Sequence, residues 1–81
     1  MFYIYVLQSI KKGNLYTGYT ADLRKRLKEH NQGLNQSTKP YRPWNLIYYE
    51  AYKKRDIAQK RERQLKSGKA HMELKKRLKT D

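Results

Sequence analysis

The sequence predicts an α+β domain: a small three-stranded antiparallel sheet flanked by three helices, in the order β-β-α-β-α-α. Three observations carry this. The apolar and aromatic residues of Phe2–Ser9 fall at odd and even positions alike, as in a strand covered on both faces. A short polar connector with a glycine, Lys11-Lys12-Gly13-Asn14, joins that run to a second one, as in a hairpin. After Thr20 the apolar residues change from strand-like to helical spacing.

The elements follow in order. Phe2–Ser9 reads as a central strand and Leu15–Tyr19 as its hairpin partner. Thr20 is suited to cap the next helix, with Asp22 in the first turn where a negative charge is favourable. Leu23, Leu27, His30 and Leu34 lie at i, i+4, i+7 and i+11, one helical face, and Gly33 is a stop that leaves Leu34 just past the end. Residues 35–44 hold both prolines without a period and read as an extended loop. Asn45–Tyr52 reads as the third strand. A second helix is expected over Asp56–Lys66, with Ile57, Ala58, Arg61 and Leu65 as its stripe. Ser67-Gly68 breaks it, and a last helix over Ala70–Lys79 carries Leu74 and Leu78. Helices packed on a small sheet are the simplest layered solution, and residues 1–81 read as one domain.

Composition narrows the function. The chain has 81 residues, near the small end for independent folding, and no cysteine. Disulfides and thiolate zinc sites are therefore excluded. Eight tyrosines stand against one phenylalanine, and tyrosine suits a core edge or a site because its apolar ring ends in a hydroxyl. The N-terminal apolar run is too short to span a bilayer and has no basic leader, so a soluble, cytoplasmic protein is expected, with no membrane partner. Lys plus Arg number 20 against 7 acids, a formal charge of +13, and the excess runs through both halves of the chain. Such one-sided charge exceeds what solubility requires and points to a polyanion, with nucleic acid as the natural partner.

A phosphodiester nuclease needs an activated water, a cation on the phosphorus oxygens and usually a divalent metal. The chain offers one candidate set. Tyr5 and Tyr16 lie on the two hairpin strands and can share a face. Arg26 and His30, at i and i+4, project together from the first helix. Glu62 sits near mid-helix between Arg61 and Arg63. Each has a plainer reading taken singly: strand tyrosines pack, Arg26 is one more solvated base, His30 packs at a helix end, and Glu62 pairs with Lys66 on the surface. Gly18 is harder to dismiss, because a glycine within a strand often marks the close approach of another backbone or a ligand.

With these residues in register, the chain resembles the GIY-YIG nuclease family, in its branch of small single-domain members. Tyr3-Ile4-Tyr5 corresponds to the first motif, with tyrosine for its glycine, and Tyr16-Thr17-Gly18 to the second. Arg26, His30 and the segment Arg61-Glu62-Arg63-Gln64-Leu65-Lys66-Ser67-Gly68-Lys69 also match, as do Ser37-Thr38-Lys39 and Arg42-Pro43-Trp44 through Glu50. Ala70, His71 and Met72 depart from the branch's Gly-Arg-Glu. The resemblance implies a metal-dependent DNA endonuclease in which Arg26 holds the attacked phosphate. Glu62 would be the protein ligand of a Mg²⁺ or Mn²⁺ ion. Tyr5 or Tyr16 would help to activate the water, with His30 in support. Gly18, Lys25, Lys39, Arg61, Lys66 and Lys69 are the candidate substrate contacts. An unperturbed tyrosine, with a pKa of about 10, is a poor base unless nearby positive charge lowers it. The main alternative is a non-catalytic nucleic-acid-binding module on the same fold; Glu62 separates the two, since a binder gains nothing from a carboxylate in a basic surface.

Overall fold

The structure is a computed structural model that describes residues 1–79, and of residues 69–71 and 79 the backbone alone. Its strands are β1 (Phe2–Ser9), β2 (Leu15–Thr20) and β3 (Trp44–Tyr52), and its helices are α1 (Leu23–Gln32), α2 (Arg55–Lys66) and α3 (Gly68–Lys79). A short 3-10 turn, Lys39–Tyr41, interrupts the loop before β3. The predicted order β-β-α-β-α-α holds.

The sheet is antiparallel with the order β2-β1-β3, so β1 is central. Its alternating side chains serve two cores, which explains its continuous apolar run. Ile4 and Val6 pack with Ala58 and Leu65 of α2 and Leu74 of α3. Tyr5 and Leu7 face the other way, against Trp44, Leu23 and Leu27. The layers are therefore α1, sheet, and the α2–α3 pair. Ile4, Leu7 and Leu65 are each 0% exposed, and full burial of such a side chain is worth about 1.5–3 kcal/mol.

Several boundaries differ from expectation, each for a physical reason. β2 runs on through Thr20, which pairs with Tyr3, so Thr20 is in the sheet and not the helix cap. Asp22 is the cap: its carboxylate accepts from the Lys25 backbone N–H at 3.1 Å, and the Thr20 hydroxyl supports the Asp22 N–H. Gly33 closes α1 with φ +80°, as expected of a left-handed cap. β3 begins at Trp44, whose backbone is held by both side-chain atoms of Asn31. α2 opens at Arg55, and Ile57 of its expected stripe is exposed, leaving Ala58 and Leu65 as the buried face. Gly68 starts α3 at φ +68°, two residues before the expected Ala70.

Candidate active site

The face of the sheet under α1 gathers most of the predicted residues. Tyr5 on β1 pairs with Gly18 on β2, and Leu7 with Tyr16, so both tyrosines point to this face. The central position of β1 buries Tyr5 to 1% exposure, whereas Tyr16, on the edge strand, stays half-buried. Their rings lie 6.4 Å apart, and the His30 ring meets both edge-on, at 5.8 Å from Tyr5 and 5.1 Å from Tyr16.

Gly18 owes its identity to Tyr5. A Cβ built there would overlap the Tyr5 hydroxyl and ring. The close approach expected at this glycine is thus made by the cross-strand phenol, which fills the space assigned to a substrate contact.

The Tyr5 hydroxyl is the hub of a buried relay. It lies 3.4 Å from Arg26 Nε, which donates to it, and 2.9 Å from His30 Nε2. His30 Nδ1 lies 2.7 Å from Thr38 Oγ1, which in turn donates to the Asn35 carbonyl at 3.4 Å. One assignment satisfies every member. Arg26 donates to Tyr5, Tyr5 O–H donates to His30 Nε2, and His30 Nδ1–H donates to Thr38. The opposite tautomer would leave the buried Tyr5 O–H without an acceptor in this chain of contacts. Burial pushes the Tyr5 phenol up to about 12, although the hydrogen bond from Arg26 pulls the other way. Burial also lowers His30, with Arg26 adding to the effect. Both shifts oppose a proton moving from Tyr5 to His30, so the pair stays neutral. The bond to Tyr5 raises the pKa of Arg26 further, which keeps it charged.

Thr38 was part of a matching tripeptide but not singled out as functional; it is 1% exposed and its carbonyl accepts from the Trp44 indole at 2.9 Å. Glu29 was also missed. It bonds Arg26 Nη1 at 3.3 Å, as its i+3 position allows.

α2 packs on the opposite face, yet it contributes at the β2 edge. Lys66 Nζ lies 6.0 Å from the Tyr16 ring centroid and 3.1 Å from Glu62 Oε2. Glu62 is close enough to raise the Tyr5 pKa slightly. Lys25 shares a recess of about 340 Å³ with Arg26 and Glu29. Lys39 lies elsewhere, in a basic recess with Lys11 and Arg42.

Arg61 is engaged by a carboxylate of β3. Its Nε and Nη2 hold Glu50 at 2.9 and 3.0 Å, and the Tyr48 and Tyr52 hydroxyls donate to the same carboxylate. Burial alone would raise Glu50, but the hydrogen bonds from Arg61, Tyr48 and Tyr52 outweigh it and hold the carboxyl at about 2. The β3 register turns Glu50 toward α2, so Arg61 clamps the strand to the helix. The side chain of Lys69 lies outside the described residues.

The face under α1 thus holds an arginine oriented by a buried phenol, with Tyr16 near the same His30 ring and the Glu62–Lys66 pair at the β2 edge. The family model described as the GIY-YIG catalytic domain matches residues 1–79. The chain belongs to the GIY-YIG family, a family of nucleases that act on DNA and are generally metal-dependent. UPF0213 proteins of Streptococcus pyogenes serotypes M3 and M1 are each 44% identical to it over 68 residues, spanning 83% of this chain and 73% of theirs. The solution NMR structure of a UPF0213 protein from Bacillus halodurans is similar at 30% identity and a TM-score of 0.55, covering 93% of this chain and 81% of that one. Among the described residues, no helix is long and apolar enough to cross a membrane.

Proposed function

We propose that the protein is a divalent-metal-dependent endonuclease that hydrolyses DNA phosphodiester bonds. Its cleavage is structure-directed or nonspecific, of the kind used in DNA repair or recombination. The carrying observation is the Arg26–Tyr5–His30–Thr38 relay, which fixes a guanidinium beside Tyr16. Arg26 spends its Nε on Tyr5 and turns its Nη groups outward, where Glu29 now holds one of them. A phosphate would displace Glu29 and take both, giving a planar fork on the oxygens that gain charge.

Tyr16, not Tyr5, is the tyrosine for the water. Tyr5 keeps its proton at any ordinary pH and donates it to His30, whereas Tyr16 is half-buried at the edge with Lys66 near its ring. In this reading the Tyr16 hydroxyl holds the attacking water, and His30 is a positioning residue that acts through Tyr5.

Among the described residues, no three His, Asp or Glu side chains gather to cage a metal. A Mg²⁺ or Mn²⁺ ion takes one or two carboxylates and completes its shell with water and substrate phosphate. Glu62 would hold it after releasing Lys66, and the ion would supply Lewis-acid stabilisation of charge on the phosphate. The same Glu62–Lys66 ion pair, 3.1 Å long, favours the second reading, a DNA-binding module in which Glu62 is already neutralised. Incubation with labelled single-stranded, duplex, nicked and branched DNA in Mg²⁺, Mn²⁺ or EDTA decides. Cleavage that requires the metal supports the nuclease; binding without cleavage on every structure supports the module.

A further inference from the structure

α1 covers only part of the sheet face that carries Tyr5 and Tyr16. Beside its N-terminal half lies a groove of about 420 Å³, walled by Tyr3, Leu23, Leu27, Leu46 and Tyr49. Tyr3 and Tyr49 belong to the same face as Tyr5, since Tyr5 pairs with Tyr49 across the sheet. Tyr49 meets Tyr3 edge-on at 6.2 Å and is 55% exposed. The groove is open to solvent, and its floor is aromatic and aliphatic.

Its surroundings indicate the occupant. The groove shares Ala21 and Asp22 with the recess that holds Lys25 and Arg26, so it opens beside the candidate phosphate clamp. Arg24, also exposed, lines it. Aromatic surface next to cations is the combination that binds unpaired nucleotides: the cations track the backbone while each base stacks on a ring. Bases paired inside a duplex cannot reach such a groove. A second copy of this chain is a poor occupant, because each copy carries a net charge of +13 and the two would repel.

We propose that the Tyr3–Tyr49 groove receives an unpaired nucleobase, so that the preferred substrate carries single-stranded or extrahelical bases next to the cleaved phosphate. The proposal rests on the nucleic-acid reading above, but its test needs no cleavage.

Binding is measured by fluorescence anisotropy in EDTA, with a labelled oligothymidine and a blunt duplex of equal phosphate number. Wild type, Tyr49→Ala and Tyr49→Phe are compared. Loss of one stacked base should weaken oligothymidine binding by the alanine variant on the order of 10-fold. Duplex binding should stay within about twofold of wild type, and the phenylalanine variant should match wild type on both, because stacking needs only the ring. A 2-aminopurine placed in the strand should be quenched by wild type and not by Tyr49→Ala. Equal losses on strand and duplex, or none on either, would overturn the groove while leaving the nuclease reading intact. Self-association abolished by Tyr49→Ala, with strand binding unchanged, would also overturn it. A wild type that binds neither DNA would sink both.

Discussion

Replacing Gly18 with alanine tests how the site is built. The new methyl would occupy the space of the Tyr5 hydroxyl and ring, and Tyr5 is 1% exposed with β1 pinned between two strands. The ring must leave its place, breaking the bonds to His30 at 2.9 Å and Arg26 at 3.4 Å. Overpacking costs about 1–3 kcal/mol and each of the two lost hydrogen bonds about 0.5–1.5 kcal/mol, so roughly 2–6 kcal/mol is expected. A domain of this size has roughly 4–12 kcal/mol to lose, so a large part of its stability is at stake. Its Tm should fall by at least roughly 10 °C in a circular-dichroism melt. A double-mutant cycle supplies the control. In a Tyr5→Leu background the obstructing hydroxyl and ring are gone, so Gly18→Ala should cost far less, a coupling on the order of 1–3 kcal/mol. An unchanged Tm in the single variant, or the same cost in both backgrounds, would refute the account of Gly18.

Three further outcomes follow from the same contacts. Arg26→Lys should lower cleavage by roughly 10²-fold while leaving most nonspecific affinity, because a point charge cannot form the bidentate fork; full activity would make Arg26 ordinary surface charge. Glu50, held at about 2 against a usual 4.5, gives stability that is present above 4.5 and lost as pH falls through about 2. That is on the order of 3 kcal/mol. Buried His30 adds its own loss below about 6.5, so urea melts of wild type and Glu50→Gln across this range should converge only through the Glu50 contribution; parallel curves would deny it. DNA affinity should fall steeply between low and moderate salt, since the +13 charge acts through counterion release; a flat titration would argue against phosphate contacts.

The sheet and the first helix were legible because one residue run can satisfy only certain surroundings. Apolar residues at both parities of Phe2–Ser9 demand cover on both faces, and the structure supplies it with α1 on one side and α2–α3 on the other. What depended on register was not legible. Thr20 and Asp22 are both good cap residues, and the choice fell to Asp22 because Thr20 is held in the ladder by Tyr3. Arg61 read as part of the α2 stripe and a candidate substrate contact, and only the pairing of β3 with β1 sets Glu50 opposite it. Tyr5 and Tyr16 looked equivalent on a hairpin. Their difference arises from the central and edge positions of their strands, which buries one phenol and leaves the other at the rim. Thr38 lay in a loop without periodicity, and its burial follows from Trp44 and His30 converging on it.

The central claim is that this basic surface carries a metal-dependent active site at Glu62. The most direct measurement compares wild type and Glu62→Gln for DNA cleavage in Mn²⁺ or Mg²⁺ and for DNA affinity in EDTA. The substitution keeps the shape of the side chain and removes the charge that holds the ion. The account predicts that cleavage collapses, that metal-free affinity stays the same or tightens, and that Tm changes little, since a partly exposed ion pair with Lys66 is worth at most about 0.5 kcal/mol. A variant that cleaves as fast as wild type, or a wild type that cleaves no DNA structure in either metal, would contradict it.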